Sequence, residues 1–415
     1  MSLNIRSGSI PIEIFLSVNR RIRSFIPIAL AIVITVLAMM FSFLVIRNYT
    51  VASLWDMDFF SIWSFAKFVL GHDVSKIYDN SKLLDYQMDL GADPTERPYA
   101  YPPSFLLIIL PLGFLPYHVA FAVWDVITLS IYFVASFYRR WRPSAILLII
   151  FAPAALQNFC TGQTGFLSAG LIAGGFRLVV NRPILNGILL GLVSFKPQFG
   201  VLIPIALISA RLWRAFAAAA VTVGVLIVVS TMAFGWSIWP IWLMKLFGHA
   251  DWVSAVENRF QPTITANLTF LGVDTTIARM VQMFVAVLIA VFIWFCFRRG
   301  VTLLTTAALL VGTLLATPYA FLYDLPILTN AVLLFIRHKD QNNRLLTIPE
   351  GAVLLLSLVV PIFMVATWRP AMFRSIPLLL LFALIGRELF RFRADAKSVS
   401  ALAPRPSDRR NSTPA

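Results

Sequence analysis

Charge is scarce in this chain. Only 13% of its 415 residues are Asp, Glu, Lys or Arg, about half the share that soluble domains carry. So little charge cannot cover the surface of the two or three globular domains that the length would otherwise suggest. Acids are scarcer than bases, 19 against 34, which leaves a net charge of +15. In a soluble protein that surplus would point to nucleic acid, but the cations sit in short clusters between apolar runs and form no basic domain. No nucleic-acid partner is expected. Cysteine is almost missing: Cys160 and Cys296 both lie beside apolar runs, which excludes a disulfide framework. The four histidines, His72, His118, His249 and His338, are scattered and offer no metal-ligand spacing. No glycine-rich phosphate loop is present. Neither a metal nor a bound cofactor is expected, and an activated substrate would arrive through the membrane.

Long hydrophobic runs are abundant. Arg20, Arg21 and Arg23 precede the 22-residue run Phe25–Ile46, longer than the apolar core of a signal peptide and long enough to span about 30 Å of hydrocarbon. It predicts an uncleaved first membrane helix with a cytoplasmic N-terminus, residues 1–24. Further apolar segments lie near 118–138, 144–159, 165–180, 214–234, 276–297, 301–317, 319–336, 350–367 and 372–391. Basic clusters lie at Arg139/Arg140/Arg142, Arg177/Arg182, Arg211/Arg214, Arg298/Arg299, Arg337/Lys339/Arg344 and Arg387/Arg391/Arg393. Placing every cluster in the cytoplasm gives one consistent weave. It predicts an all-α polytopic membrane domain over 25–393 with 10–13 membrane segments. The principal external loops are 47–102 and 235–275, and 394–415 is a disordered cytoplasmic tail. Two runs depart from simple spans. Pro103–Leu115 is short enough to be a half-helix. Ile184–Ala210 is interrupted by Lys196-Pro197 and reads as two short helices, since proline breaks the backbone ladder.

Polar residues on the external side are the candidates for chemistry, and 12 of the 19 acids fall there. Asp58 opens a stretch in which Asp58, Ser61, Ser64 and Lys67 recur every third residue among aromatics. This spacing predicts an interfacial helix. Asp58 is then either a general base for a hydroxyl acceptor or the helix N-cap, and Asp56 competes for both roles. Tyr101 precedes Pro102-Pro103, a stiff helix entry that also suits an aromatic belt. In Thr161-Gly162-Gln163-Thr164-Gly165, Gln163 can donate to and accept from a sugar or phosphate, or the segment is simply a tight turn. Lys196 is the strongest single signal, because a lysine in apolar sequence is costly. It suits a lipid-linked phosphate, with Gln198 beside it, or it snorkels to the interface. Tyr319 and Asp324 lie in another external turn, as substrate contacts, as a partner for Lys196, or as belt and cap residues. Asp125 is an isolated acid within a predicted span. The tryptophan-rich loop 235–275 could form a second interfacial helix.

The order of these features resembles glycosyltransferase family 87. The resemblance rests on Asp58-Phe59-Phe60, Ile77-Tyr78-Asp79, Tyr101-Pro102-Pro103, Leu110-Pro111-Leu112, Gly162-Gln163, Asn186-Gly187 through Gly191, Lys196-Pro197-Gln198 and Arg211 through Ala215. It covers about residues 50–335. It implies a bacterial enzyme of the GT-C fold, mannosyltransferase-like, that moves a hexose or pentose from a polyprenyl-phosphate carrier to a glycolipid or glycan acceptor. The reaction would take place on the external face of the inner membrane, without a metal. Asp58 matches the family's basic carboxylate, and Lys196 would meet the carrier phosphate. Two positions depart from the pattern: Gly165 stands where Asn is common, and the 317–324 turn lacks the usual Trp and paired His. The competing expectations are a transporter or flippase of a lipid-linked saccharide, and a non-catalytic membrane protein.

Overall fold

The computed structural model describes residues 58–137, 143–179, 181–246, 261–366 and 374–402. Among them the chain is helical and contains no strand, so this is an all-α polytopic membrane protein. The run Phe25–Ile46 and Asp56 lie outside the described residues.

Two helices, α1 (Phe59–Gly71) and α2 (Asn80–Asp89), flank the 3-10 turn Val74–Tyr78. Asp79 starts α2 by accepting from the Ser81 and Lys82 N–H groups. With 13 residues, α1 is only about 20 Å long, too short to cross a bilayer. Its periodicity predicts an interfacial helix with one polar stripe, and in the structure Asp58, Ser61 and Lys67 of that stripe are half-buried while its apolar faces pack into the protein. Phe59, Phe60, Ile62, Trp63, Phe65 and Phe68 are all buried, and so is Ser64. The buried stripe residue is satisfied internally: Ser64 Oγ accepts from Gln87 Nε2 of α2 at 3.0 Å and donates to the Ser61 carbonyl at 2.9 Å.

Pro103 opens α3 (Pro103–Ile109), which gives way to the 3-10 turn Leu110–Phe114. This is the half-helix that the short run predicts. Next comes α4 (Tyr117–Ser136). The apolar segment near 144–159 is two helices, α5 (Pro143–Phe151) and α6 (Pro153–Thr161). Pro153 has no N–H to continue the ladder and instead occupies the first turn of a new helix. Gly162 then adopts the left-handed conformation that ends α6, with φ +65°, and α7 (Gly165–Leu178) follows.

The Ile184–Ala210 run breaks where its sequence indicates. It comprises α8 (Pro183–Leu192), a 3-10 turn Val193–Phe195, α9 (Pro197–Gly200) and α10 (Leu202–Ser209). Gly187 and Gly191 let α8 approach α11 (Trp213–Phe234) closely, since a Cβ at Gly187 would overlap the Ala215 carbonyl oxygen. Small residues carry such contacts in lipid, where apolar burial alone gives helices no preference for one another. The remaining helices are α12 (Ile264–Phe270), α13 (Thr275–Phe297), α14 (Leu303–Ala316), α15 (Pro326–Gln341), α16 (Ile348–Ala366) and α17 (Ile376–Leu402). α17 extends into the stretch from 394 that reads as a tail. By length and composition, α4, α11 and α13 are each able to cross a membrane.

The core is built on α7, α14 and α15, which are buried along almost their whole lengths. Buried polar bonds fix their register. Ser136 Oγ donates to Asn330 Oδ1 at 2.6 Å, and Asn330 Nδ2 donates to the Ala169 carbonyl at 3.3 Å, tying α4, α15 and α7 together. Gln282 Nε2 of α13 donates to the Leu315 carbonyl at 2.6 Å, while its Oε1 accepts from the N–H groups of Ile264 and Thr265. Interhelical bonds of this kind contribute about 0.6 kcal/mol each. The long helices direct five chain segments toward one end of the bundle, where the polar turns converge.

Candidate active site

A cavity of about 300 Å³ lies at that end. It is formed by the start of α1, the segment before α3, the α6–α7 turn, the α8–α9 break and the turn before α15. Asp58, Tyr101, Gln163, Lys196, Gln198, Tyr319 and Asp324 all line it. The structure therefore brings together every site residue predicted from the sequence except Asp56. Asp125 is buried in α4 and does not line the cavity.

Asp58 sits at the head of α1, but its side chain makes no capping bond to the helix. Its carboxylate accepts a hydrogen bond from the Gln163 side chain, and the Arg97 guanidinium is close enough to attract it. Burial dominates all the same, and pushes the Asp58 carboxyl up to about 6. The acid remains partly accessible from the cavity. It is therefore poised to hold or release a proton near neutral pH, as a general base must.

Gln163 reaches Asp58 because its turn is tight. Its Oε1 accepts from the Thr164 N–H at 3.3 Å, which leaves Nε2 to donate outward. Both expectations for this segment therefore meet in one structure: a compact interhelical turn and a polar group presented to the cavity. Gly165 starts α7 directly under the 319–324 turn, and a Cβ there would overlap the Tyr323 carbonyl oxygen. Asn158 of α6 donates to that same carbonyl and accepts from the Phe166 N–H at 3.3 Å. Glycine at 165 is thus the condition for docking this turn.

Lys196 does not snorkel. Its residue is 4% exposed, and Nζ lies 2.6 Å from Asp324 Oδ1. Nζ also lies over the Tyr323 ring, 4.7 Å from its centroid, and 5.3 Å from that of Phe199. Asp324 Oδ2 accepts from the Phe321 N–H at 3.0 Å. The pair spans 128 residues of sequence and fastens the α8–α9 break to the turn before α15. Breaking such a buried pair costs about 3–5 kcal/mol because it strands the remaining charge. Tyr101 stacks along Phe105 and Phe195. Burial pushes its hydroxyl up, and burial followed by the Asp324 charge pushes the Tyr319 hydroxyl up to about 12. Both stay neutral donors at physiological pH.

Sequence reasoning missed the supports. Arg97 pairs with Asp93 and lies 5.7 Å from the Phe60 ring centroid, which holds a second cation at the cavity wall. Tyr78 donates to the Tyr101 carbonyl at 2.8 Å, and Trp242 Nε1 to the Ala100 carbonyl at 3.2 Å. Trp242 gave a signal, as one of the clustered tryptophans of the 235–275 loop, but its target is protein and not lipid. Arg97 carried no local signal.

These groups can bind a polar ligand, take a proton through Asp58 and stabilise an anion through Lys196 and Arg97. No curated protein and no solved structure matches the chain. The glycosyltransferase family 87 model matches residues 99–322, just over half of the chain. That span contains Tyr101, Gln163, Lys196, Gln198 and Tyr319, stops two residues before Asp324, and begins after Asp58 and Arg97. On this match, the chain belongs to glycosyltransferase family 87.

Proposed function

We propose that this glycosyltransferase takes its sugar from a polyprenyl-phosphate carrier and passes it to a hydroxyl of a glycolipid or glycan acceptor. The cavity would face the exterior of a bacterial inner membrane. The observation that carries this reading is Asp58: a carboxylate with its pKa near 6, hydrogen-bonded to Gln163, in a cavity shared with the buried Lys196–Asp324 pair.

In this mechanism the acceptor oxygen attacks the anomeric carbon and loses its proton to Asp58. The bond from that carbon to the phosphate oxygen breaks, and the electron pair leaves with the polyprenyl phosphate. Lys196 has three N–H donors, of which the Asp324 bond uses one, so the ammonium can still meet a phosphate oxygen. Arg97 offers a planar fork of donors from the other wall. Charge that develops on the leaving group in a site with little water is worth several kcal/mol to a fixed cation. Tyr101, Gln198 and Tyr319 supply neutral donors to sugar hydroxyls. No nucleotide sugar enters this reading, because the donor reaches the site through the membrane. Incubating purified protein with a panel of polyprenyl-phosphate hexoses and pentoses tests it: one donor is consumed by wild type and none by Asp58→Asn. If no panel member is consumed under any acceptor condition, the donor class is wrong.

A further inference from the structure

A second cavity, of about 980 Å³, lies at the other end of the same core helices. α7 begins beside Gln163 and carries Arg177 in its last turn. α15 begins beside Asp324 and ends near His338. α14 runs the opposite way, from Thr302 toward the Tyr319 turn. Helices of 14 to 16 residues separate the two cavities by roughly 20 Å. The second cavity therefore opens at the far end of the bundle, beside the basic clusters Arg298/Arg299 and Arg337/Lys339/Arg344, which the charge pattern assigns to the cytoplasm.

Its lining is divided by chemistry. Arg177 and Arg299 contribute two guanidinium groups, and Thr302 and Thr306 contribute hydroxyl groups, at the start of α14. Among the described residues, no Asp or Glu lines it. Two acids flank lining residues in sequence: Glu388 is buried and already accepts from Lys339 at 2.9 Å and Arg344 at 3.4 Å, while Asp340 is exposed and is not part of the lining. Toward the membrane the wall becomes aromatic. Phe295 is 52% and Phe390 60% exposed, and both border the cavity. A polar recess with two cations and no anion, opening beside exposed phenylalanines at a membrane interface, fits a ligand with an anionic head and an apolar tail. Basic pockets between membrane helices on the cytoplasmic side take anionic phospholipids in this way.

We propose that the second cavity binds one anionic phospholipid of the leaflet opposite the sugar-transfer site. Its phosphate lies between Arg177 and Arg299, and its acyl chains run along Phe295 and Phe390. Arg177 is held in place by donating to the Val134 carbonyl at 2.6 Å, so the site is partly built before the lipid arrives. The proposal is independent of glycosyl transfer, because it concerns other residues and its test measures no turnover.

The test is native mass spectrometry of the purified full chain. The protein is released from detergent after titration with phosphatidylglycerol or with phosphatidylcholine of matched acyl chains. Wild type should retain one phosphatidylglycerol with at least tenfold preference. Arg299→Gln should weaken that retention about fivefold, the effect of one interfacial cation. Arg211→Gln, which removes an exposed cation of the same membrane side outside the cavity, should leave it unchanged. Equal retention of the two lipids by wild type overturns the proposal, and this comparison needs no variant to fold. Equal losses in Arg299→Gln and Arg211→Gln also overturn it, since they indicate diffuse surface attraction.

Discussion

The two ends of this molecule both bury charge, and they treat it differently. At the far end, Lys339 Nζ bridges Glu350 Oε1 at 3.0 Å and Glu388 Oε1 at 2.9 Å. Arg387 adds a bond to Glu350 at 3.0 Å. Carboxylates there are shared among several cations, and the network joins α15, α16 and α17. At the cavity end, Lys196 and Asp324 form one pair, while Asp58 has a neutral amide as its hydrogen-bond partner and an arginine only near it. Cross-linked charge holds helices in register, and its low tolerance for a missing partner makes it structural. Charge left with spare donors, or with a raised pKa beside an open space, remains free to act. On the proposed function, one end carries stability and the other carries the chemistry.

The largest effect expected is at Asp58. Asp58→Asn should lower transfer by about 10³-fold or more, within the range of lost general-base catalysis, while expression and thermal unfolding stay the same. Its raised pKa fixes the sign of the stability effect. Ionised Asp58 is disfavoured in the folded state, so it destabilises the fold as pH rises from near 4 to above 6. The amide should therefore not lower the melting temperature measured at pH 7. At the opposite end the outcome reverses. Lys339→Met removes the cation shared by two buried carboxylates and leaves each with one arginine, Arg387 on Glu350 and Arg344 on Glu388, so it should lower stability by about 3 kcal/mol, with turnover per folded molecule retained. Chemical denaturation and single-turnover assays on the same samples separate the two cases.

Gly165→Ala sharpens the comparison without touching any charge. It pushes the Tyr323 carbonyl away, and with it Asp324 and Tyr319. A displacement of about 1 Å should cost about 10²-fold in transfer, seen in kcat/KM more than in binding of the donor.

The same contrast marks what the sequence makes legible. The Lys196-Pro197 break, the half-helix at Pro103 and the placement of Asp58 at a helix start are local matters of proline chemistry and run length, and they stand in the structure as read. The sequence places Tyr101, Gln163, Lys196 and Tyr319 on one external face without showing that they meet in one cavity. The Lys196–Asp324 pair is one of the readings open for Asp324 in the sequence, and the structure makes it; the bond from Gln163 to Asp58 joins residues 105 positions apart, and periodicity carries no record of partners at that range. In α1 one stripe position is buried for a reason the spacing does not show. Its serines repeat like a solvated stripe, yet Ser64 spends its hydrogen bonds on Gln87 and the helix interior. Pro153 was in plain view, but the apolar residues on both sides concealed the split.

Smaller effects should appear in pH dependence. The rate should be level above about pH 6 and fall tenfold per unit below it, as Asp58 takes up its proton. Gln163→Ala removes a bond that favours the charged form, so the acid limb should move upward by about one pH unit. An unmoved limb in Gln163→Ala would place the titrating group elsewhere.

The central claim is that Asp58 performs the chemistry and does not merely hold the site together. The most direct test measures donor binding and sugar transfer side by side in wild type and Asp58→Asn, with the purified protein and its polyprenyl-phosphate sugar. The account predicts donor affinity within about threefold of wild type and transfer reduced by about 10³-fold or more. Transfer by Asp58→Asn within tenfold of wild type, at unchanged donor affinity, would contradict it.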